Sequence, residues 1–174
     1  MRLTNTEVQD ILFAGLLHDI GKIGLSDELI NKPYEKLCPL DRTIVNKHTI
    51  IGEGILMALE PLQGAARIIR SHHECFDGSG YPDRLKGADI PLGARILAVV
   101  NDYDALISGA LLRVRMLPDR AQQYLVENRG KRYDPQLIDA FLATVNEEDE
   151  KEEKTKVIKI KSQHLVTGMT VAKD

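Results

Sequence analysis

The placement of histidine constrains this 174-residue chain more than any other feature. Four of its five histidines fall at the ends or inward sides of three successive segments with helical periodicity. Thr4 and Glu7 have capping-box spacing, and Val8, Ile11, Leu12, Leu16 and Leu17 follow at helical intervals. A helix is therefore expected to run into His18-Asp19 and to stop at Gly21 and Gly24. Pro39 suits the first turn of a second helix, which carries Ile44, His48, Ile51 and Ile55 along one side. A third helix over residues 62–74 puts Ala65, Ile68, Ile69 and His72 on one face, with His73 beside it. A bundle of such helices can gather four imidazoles and the Asp19 carboxylate at one end of its core. Alone on an apolar face, His48 would read as a hydrogen-bonded core residue. In company with His18, His72 and His73 it reads as a metal ligand, and His164 as an ordinary surface residue. Neutral imidazole with carboxylate suits a divalent transition metal such as Fe, Mn, Ni or Zn, whereas calcium takes oxygen ligands.

Lys22 lies one helical turn beyond His18 and Asp19, where its ammonium can reach a group on the metal; its simpler role is a cation at a helix C-terminus. From Cys75 to Ile90 turn formers dominate, so an ordered loop is expected, longer than a mere connection needs. In it, Gly78 and Gly80 permit tight turns whose amides can receive phosphate or a protein partner. Asp77 reads either as an acceptor orienting a neighbouring histidine or as an Asx-turn residue, and Tyr81-Pro82 reads as a rigid tip. A buried helix follows over residues 92–107, interrupted by Arg95, Asn101, Asp102 and Asp104, and helices over 119–128 and 135–145 complete an all-α bundle. The helical domain is placed at 1–146 and an acidic linker at 147–156. A short C-terminal segment, 157–174, has the alternation of β-strands and opens a small further module.

The net charge of −3 offers no broad basic surface, so polymeric DNA or RNA is not an expected partner. No stretch reaches the roughly 18 apolar residues of a membrane span, and the N-terminus lacks a signal-type apolar core. Cys38 and Cys75 are too few for a disulfide framework, which fits a reducing cytoplasm.

His18-Asp19-Ile20-Gly21-Lys22-Ile23-Gly24, then His48, then His72-His73-Glu74 with Asp77-Gly78-Ser79-Gly80-Tyr81-Pro82, resemble the HD-GYP family. Residues 90–97 and Tyr133-Asp134-Pro135 look like further segments of that family. The resemblance implies a helical HD fold and one to three metal ions, with iron or manganese foremost. It also implies hydrolysis of the cyclic dinucleotide cyclic di-GMP to pGpG or GMP, a metal-activated water attacking phosphorus. By it, Asp19 bridges metals, His18 serves one, and His48, His72 and His73 serve the other. Lys22 and Arg113 take the phosphate, and the Tyr81 loop meets a partner such as a diguanylate cyclase domain. Three departures stand out. Asn101 occupies the position of a metal-binding Asp, Gly109-Ala110-Leu111-Leu112-Arg113 stands where the family has Arg-Pro-Tyr and a basic residue so that only Arg113 survives, and residues 1–17 contain no counterpart of the family's opening helix, which supplies further ligands. Asn101 is thus a weak, uncharged ligand candidate, and a degenerate module that binds without hydrolysing is the alternative reading. The segment 165–172 resembles a module that follows HD-GYP domains in response regulators, which implies a receiver domain upstream.

Overall fold

Thr4 starts the first helix as its spacing predicts: its hydroxyl accepts the Glu7 N–H while the Glu7 carboxylate accepts the Thr4 N–H at 2.8 Å. In the computed structural model, which describes residues 2–110 and 114–147, this helix, α1, spans Asn5–Leu17. It is followed by α2 (Asp27–Asn31), α3 (Pro39–Asn46), α4 (His48–Met57), α5 (Gln63–Ser71), α6 (Leu92–Ser108), α7 (Pro118–Glu127) and α8 (residues 135–147). Short 3₁₀ turns at Ile20–Gly24, Tyr34–Lys36, Glu60–Leu62 and Gly87–Asp89 join them, and the described residues form no sheet. The all-α expectation holds. The chain divides into two compact units, Met1–Ile138 and Asp139–Asp174, and all four clustered histidines belong to the first. The expected linker beyond Glu147, the strands within 157–174, and Arg113 lie outside the described residues.

The core of the first unit is made by α1, α4, α5 and α6, with Ala14, Leu56, Ala65, Ile68, Ile69, Ala94 and Leu97 buried together. Small residues let the helices approach closely, so the side chains at the ends of α1 and α5 and at the start of α4 are brought within reach of each other. Two sequence expectations are corrected. The second helix is two helices, broken at Lys47, and its buried side is His48, Thr49, Gly52 and Leu56. Ile44, Ile51 and Ile55 are left on the exposed flank. Ile51 and Ile55 each stand about 100° round the helix from Gly52 and Leu56, the residues that continue the buried side from His48. In α1, Ile11, Ala14 and Leu17 turn to the core, whereas Val8, Leu12 and Leu16 face out, Leu16 being 81% exposed.

Candidate metal centre

The last turn of α1 delivers His18, the start of α4 delivers His48, and the end of α5 delivers His72 and His73. Three of these rings are held in the same way. His18 Nδ1 lies 2.9 Å from the Gly15 carbonyl, His48 Nδ1 2.7 Å from that of Val45, and His72 Nδ1 2.6 Å from that of Ile69. A carbonyl only accepts, so each Nδ1 carries the proton and each Nε2 presents a lone pair. For His48 and His72, each about 1% exposed, that Nε2 is sealed from water with no hydrogen-bond partner among the described residues. Buried polar atoms are seldom left unpaired. His48, His72 and His73 nevertheless place one ligand atom each within 4.8 Å of one another, a spacing that fits a shared ion.

Asp19 sits between the helices at the mouth of this group. Its carboxylate oxygens are 3.6 Å from His18 Nε2 and 3.8 Å from His48 Nε2, and Lys22 Nζ donates to it at 2.6 Å. Burial alone would raise the Asp19 carboxyl, but the hydrogen bond and charge of Lys22, helped by His18 and His48, hold it below the usual carboxylate range. Burial pushes the imidazoles the other way, toward neutrality. It lowers His48, takes His72 down to about 3, and, with His72 and Arg132 adding their charges, holds His73 well below the ordinary value. Neutral rings and an ionised carboxylate are the protonation states a cation needs.

Two glycines make this packing possible. A Cβ on Gly21 would overlap the His48 carbonyl and approach Gly52 N to 2.6 Å, so only glycine lets the turn after His18-Asp19 lie against α4. A Cβ on Gly80 would strike Cys75 N and lie 2.5 Å from the Glu74 Cα, so only glycine lets the loop fold back over the end of α5. That return is bonded. Tyr81 N–H donates to the His73 carbonyl at 3.3 Å, and the Tyr81 ring stacks on His73 at 5.0 Å with 28° between planes. The Tyr81-Pro82 peptide is cis. Tyr81 and Pro82 are half-buried, and the Tyr81 ring lies over His73. Gly78 adopts a φ of 86°, and Asp77 accepts the Ser79 N–H at 2.9 Å, which is the Asx turn and not a contact to histidine.

Several residues that hold this loop escaped the sequence reading. Glu74, 2% exposed, accepts the Asp83 N–H at 2.7 Å, and Arg70 donates to the Asp83 carboxylate through Nε and Nη2 at 2.6 and 2.8 Å while its Nη1 meets Glu53 at 2.5 Å. Asp102 is buried and accepts from Arg132 Nε at 3.0 Å and from the Tyr133 hydroxyl at 2.9 Å, and Arg132 also reaches the Glu74 carbonyl and Cys75 sulfur. The only hint in the sequence was a carboxylate inside an apolar segment, since its partner is 30 residues away. Half-buried Asn101 lies beside Asp102 on α6, and Asp102, tied to Arg132, does not substitute for it.

The helical bundle and its histidine group are those of an HD-type domain, and residues 1–137 match the family model described as "HD domain". The chain belongs to the HD domain family, in its HD-GYP group. It is 40% identical over 148 residues to a "Probable cyclic di-GMP phosphodiesterase" of Vibrio cholerae, covering 80% of this chain and 33% of that protein. It is 41% identical over 142 residues to "Cyclic di-GMP phosphodiesterase response regulator RpfG" of Xanthomonas campestris pv. campestris, covering 80% and 37%. Among solved structures, Bd1817, described as a HDG"Y"P protein of Bdellovibrio bacteriovorus, superposes with a TM-score of 0.64 at 26% identity, covering 82% of this chain and 45% of that one. The chain thus spans about a third of the length of these two curated relatives. No helix among the described residues is long and apolar enough to cross a membrane.

Proposed function

We propose that this chain carries the catalytic centre of a cytoplasmic phosphodiesterase that hydrolyses cyclic di-GMP to pGpG or GMP. In this reading His18, Asp19, His48, His72 and His73 hold iron or manganese. The observation that carries the reading is the pair of sealed, unpartnered Nε2 atoms on His48 and His72, beside His73 and Asp19. When bound, the metal supplies Lewis acidity and an activated water for attack on phosphorus. The protein's own part is positional and electrostatic. The three Nδ1 bonds fix the ring directions, burial keeps His48, His72 and His73 neutral, and the Tyr81 ring covers one side of His73. Lys22, 38% exposed beside Asp19, is placed to receive a non-bridging phosphate oxygen and to stabilise the charge that grows there. A receiver domain elsewhere in the parent protein belongs to the same proposal, supported by the response-regulator name of the Xanthomonas relative.

The test is turnover. Protein loaded with iron or manganese without oxygen should convert cyclic di-GMP to pGpG, with cyclic GMP-AMP and mononucleotides as rival substrates. Metal-replete protein with no turnover of cyclic di-GMP would refute the assignment. One observation favours a second reading, a degenerate module that binds nucleotide or a diguanylate cyclase partner through the Tyr81 loop. Asn101 brings no charge to the centre, and its neighbour Asp102 is committed to Arg132. Under that reading Asn101→Asp switches hydrolysis on, and no gain in the variant removes its support.

A further inference from the structure

Of the four clustered rings, His73 is the one that no backbone carbonyl holds among the described residues. His18, His48 and His72 each reach back three residues to a carbonyl, whereas His73 stands past the end of α5, beyond the residue that caps it. Its ring packs against other rings, with His72 at 4.0 Å, Tyr81 at 5.0 Å and His48 at 5.2 Å between centroids. Ring packing alone leaves sliding open. Where His73 stands therefore depends on what holds the backbone that leaves the helix.

Arg132 holds it. Its Nη1 donates to the Glu74 carbonyl at 3.3 Å and lies 3.7 Å from Cys75 Sγ, while its own carbonyl accepts the Phe76 N–H at 3.3 Å. The Lys131 carbonyl next to it accepts the Asp77 N–H at 2.9 Å. Side chain and main chain of one residue thus grip residues 74–76 at both ends. The grip is anchored twice. Nε donates at 3.0 Å to Asp102 of α6, a carboxylate only 9% exposed. The turn that carries Arg132 is also closed on itself. The Asn128 carbonyl accepts the Lys131 and Arg132 N–H groups at 3.2 and 3.1 Å, and Gly130, at a φ of 75°, donates to the Tyr133 carbonyl at 2.9 Å. A guanidinium fork serves Asp102 and the Glu74 carbonyl at once, which the single ammonium of a lysine does not match.

We propose that Arg132 is a positioning residue for His73: its guanidinium and carbonyl clasp residues 74–76 and so set where the His73 ring stands against His48 and His72. Arg132 touches no reacting atom in this role. Its consequence for ligation rests on the metal reading above, and its effect on the ring does not. Displacing the support of a ligand weakens metal binding by about 10- to 100-fold.

Two variants test the clasp without stranding a charge. Arg132→Lys keeps a cation for Asp102 but gives up the fork, and Asp102→Ala with Arg132→Met removes both charges. In metal-free protein, with the His73 ring signals assigned by their loss in His73→Gln, both variants should move those proton resonances toward free-histidine positions while the His18 signals stay. With Co2+, whose visible absorption reports its coordination, both should raise Kd about 10- to 100-fold and change the shape of the spectrum. Unmoved His73 resonances, or equal displacement of the His18 signals, overturn the proposal. So does a parent-like Kd in both variants where the parent binds Co2+. A parent that takes up no Co2+ while His73 moves in the variants would sink the metal reading and leave the clasp standing.

Discussion

Gly21→Ala isolates the contact that brings the first pair of site residues to the rest. The added methyl meets backbone atoms, the His48 carbonyl, its carbon at 2.8 Å and Gly52 N at 2.6 Å, none of which can swing aside as a long side chain would. The Ile20–Gly24 turn must then lift from α4, carrying Asp19 away from His48, now 3.8 Å apart. Overpacking of well-packed interiors costs about 1–3 kcal/mol, and with backbone on the receiving side the expected loss is about 3 kcal/mol or more. Metal binding should weaken about 10- to 100-fold, the usual consequence of displacing the support of a ligand. Gly54→Ala on the outer side of α4 is the matched control. Its Cβ meets nothing within 4 Å, so the helix should gain about 0.5–1 kcal/mol. Urea unfolding of the metal-free proteins, with metal content after dialysis, reads both quantities. Equal midpoints for Gly21→Ala and the parent, with metal retained, would refute the claim that this close approach assembles the centre.

Asp102→Ala should destabilise by about 1–3 kcal/mol, because it leaves the half-buried Arg132 charged and the Tyr133 hydroxyl without its acceptor. Asp102→Ala with Arg132→Met should recover part of the loss in the same denaturation experiment. Arg70→Ala frees Asp83 from its two-pronged partner, so trypsin should cut after Arg84 or Lys86 faster than in the parent while the α-helical signal stays the same. Acid should destabilise the metal-free protein in a predictable window. His72 has a folded-state value of about 3, below the ordinary 6.5, so the unfolded chain binds its proton first. The stabilising effect of a neutral His72 is present above pH 6.5 and falls away as pH drops toward 3, at about 1.4 kcal/mol per pH unit. His72→Gln should flatten that slope, and an unchanged slope would contradict a buried, neutral ring.

How far the sequence could be read depended on whether a feature was local. Thr4 and Glu7 announced the start of α1, the Ala65, Ile68, Ile69, His72 stripe was buried as drawn, and the turn-rich run after Cys75 became the loop. These follow from hydrogen bonds and periodicities within a few residues. The break at Lys47 and the outward turn of Val8, Leu12 and Leu16 were not legible, because which side of an apolar helix is buried depends on what packs against it. The centre shows the same division. By itself the sequence determined the candidate ligand types and their order, His18-Asp19, His48 and His72-His73, since chemistry follows residue identity. Only the tertiary structure decided that His48, His72 and His73 bring a ring nitrogen each together, that Asp102 is spent on Arg132, and that Arg70 and Glu74 clamp the loop over His73. Those contacts join residues from 9 to 30 positions apart, and such distances close only when the helices pack.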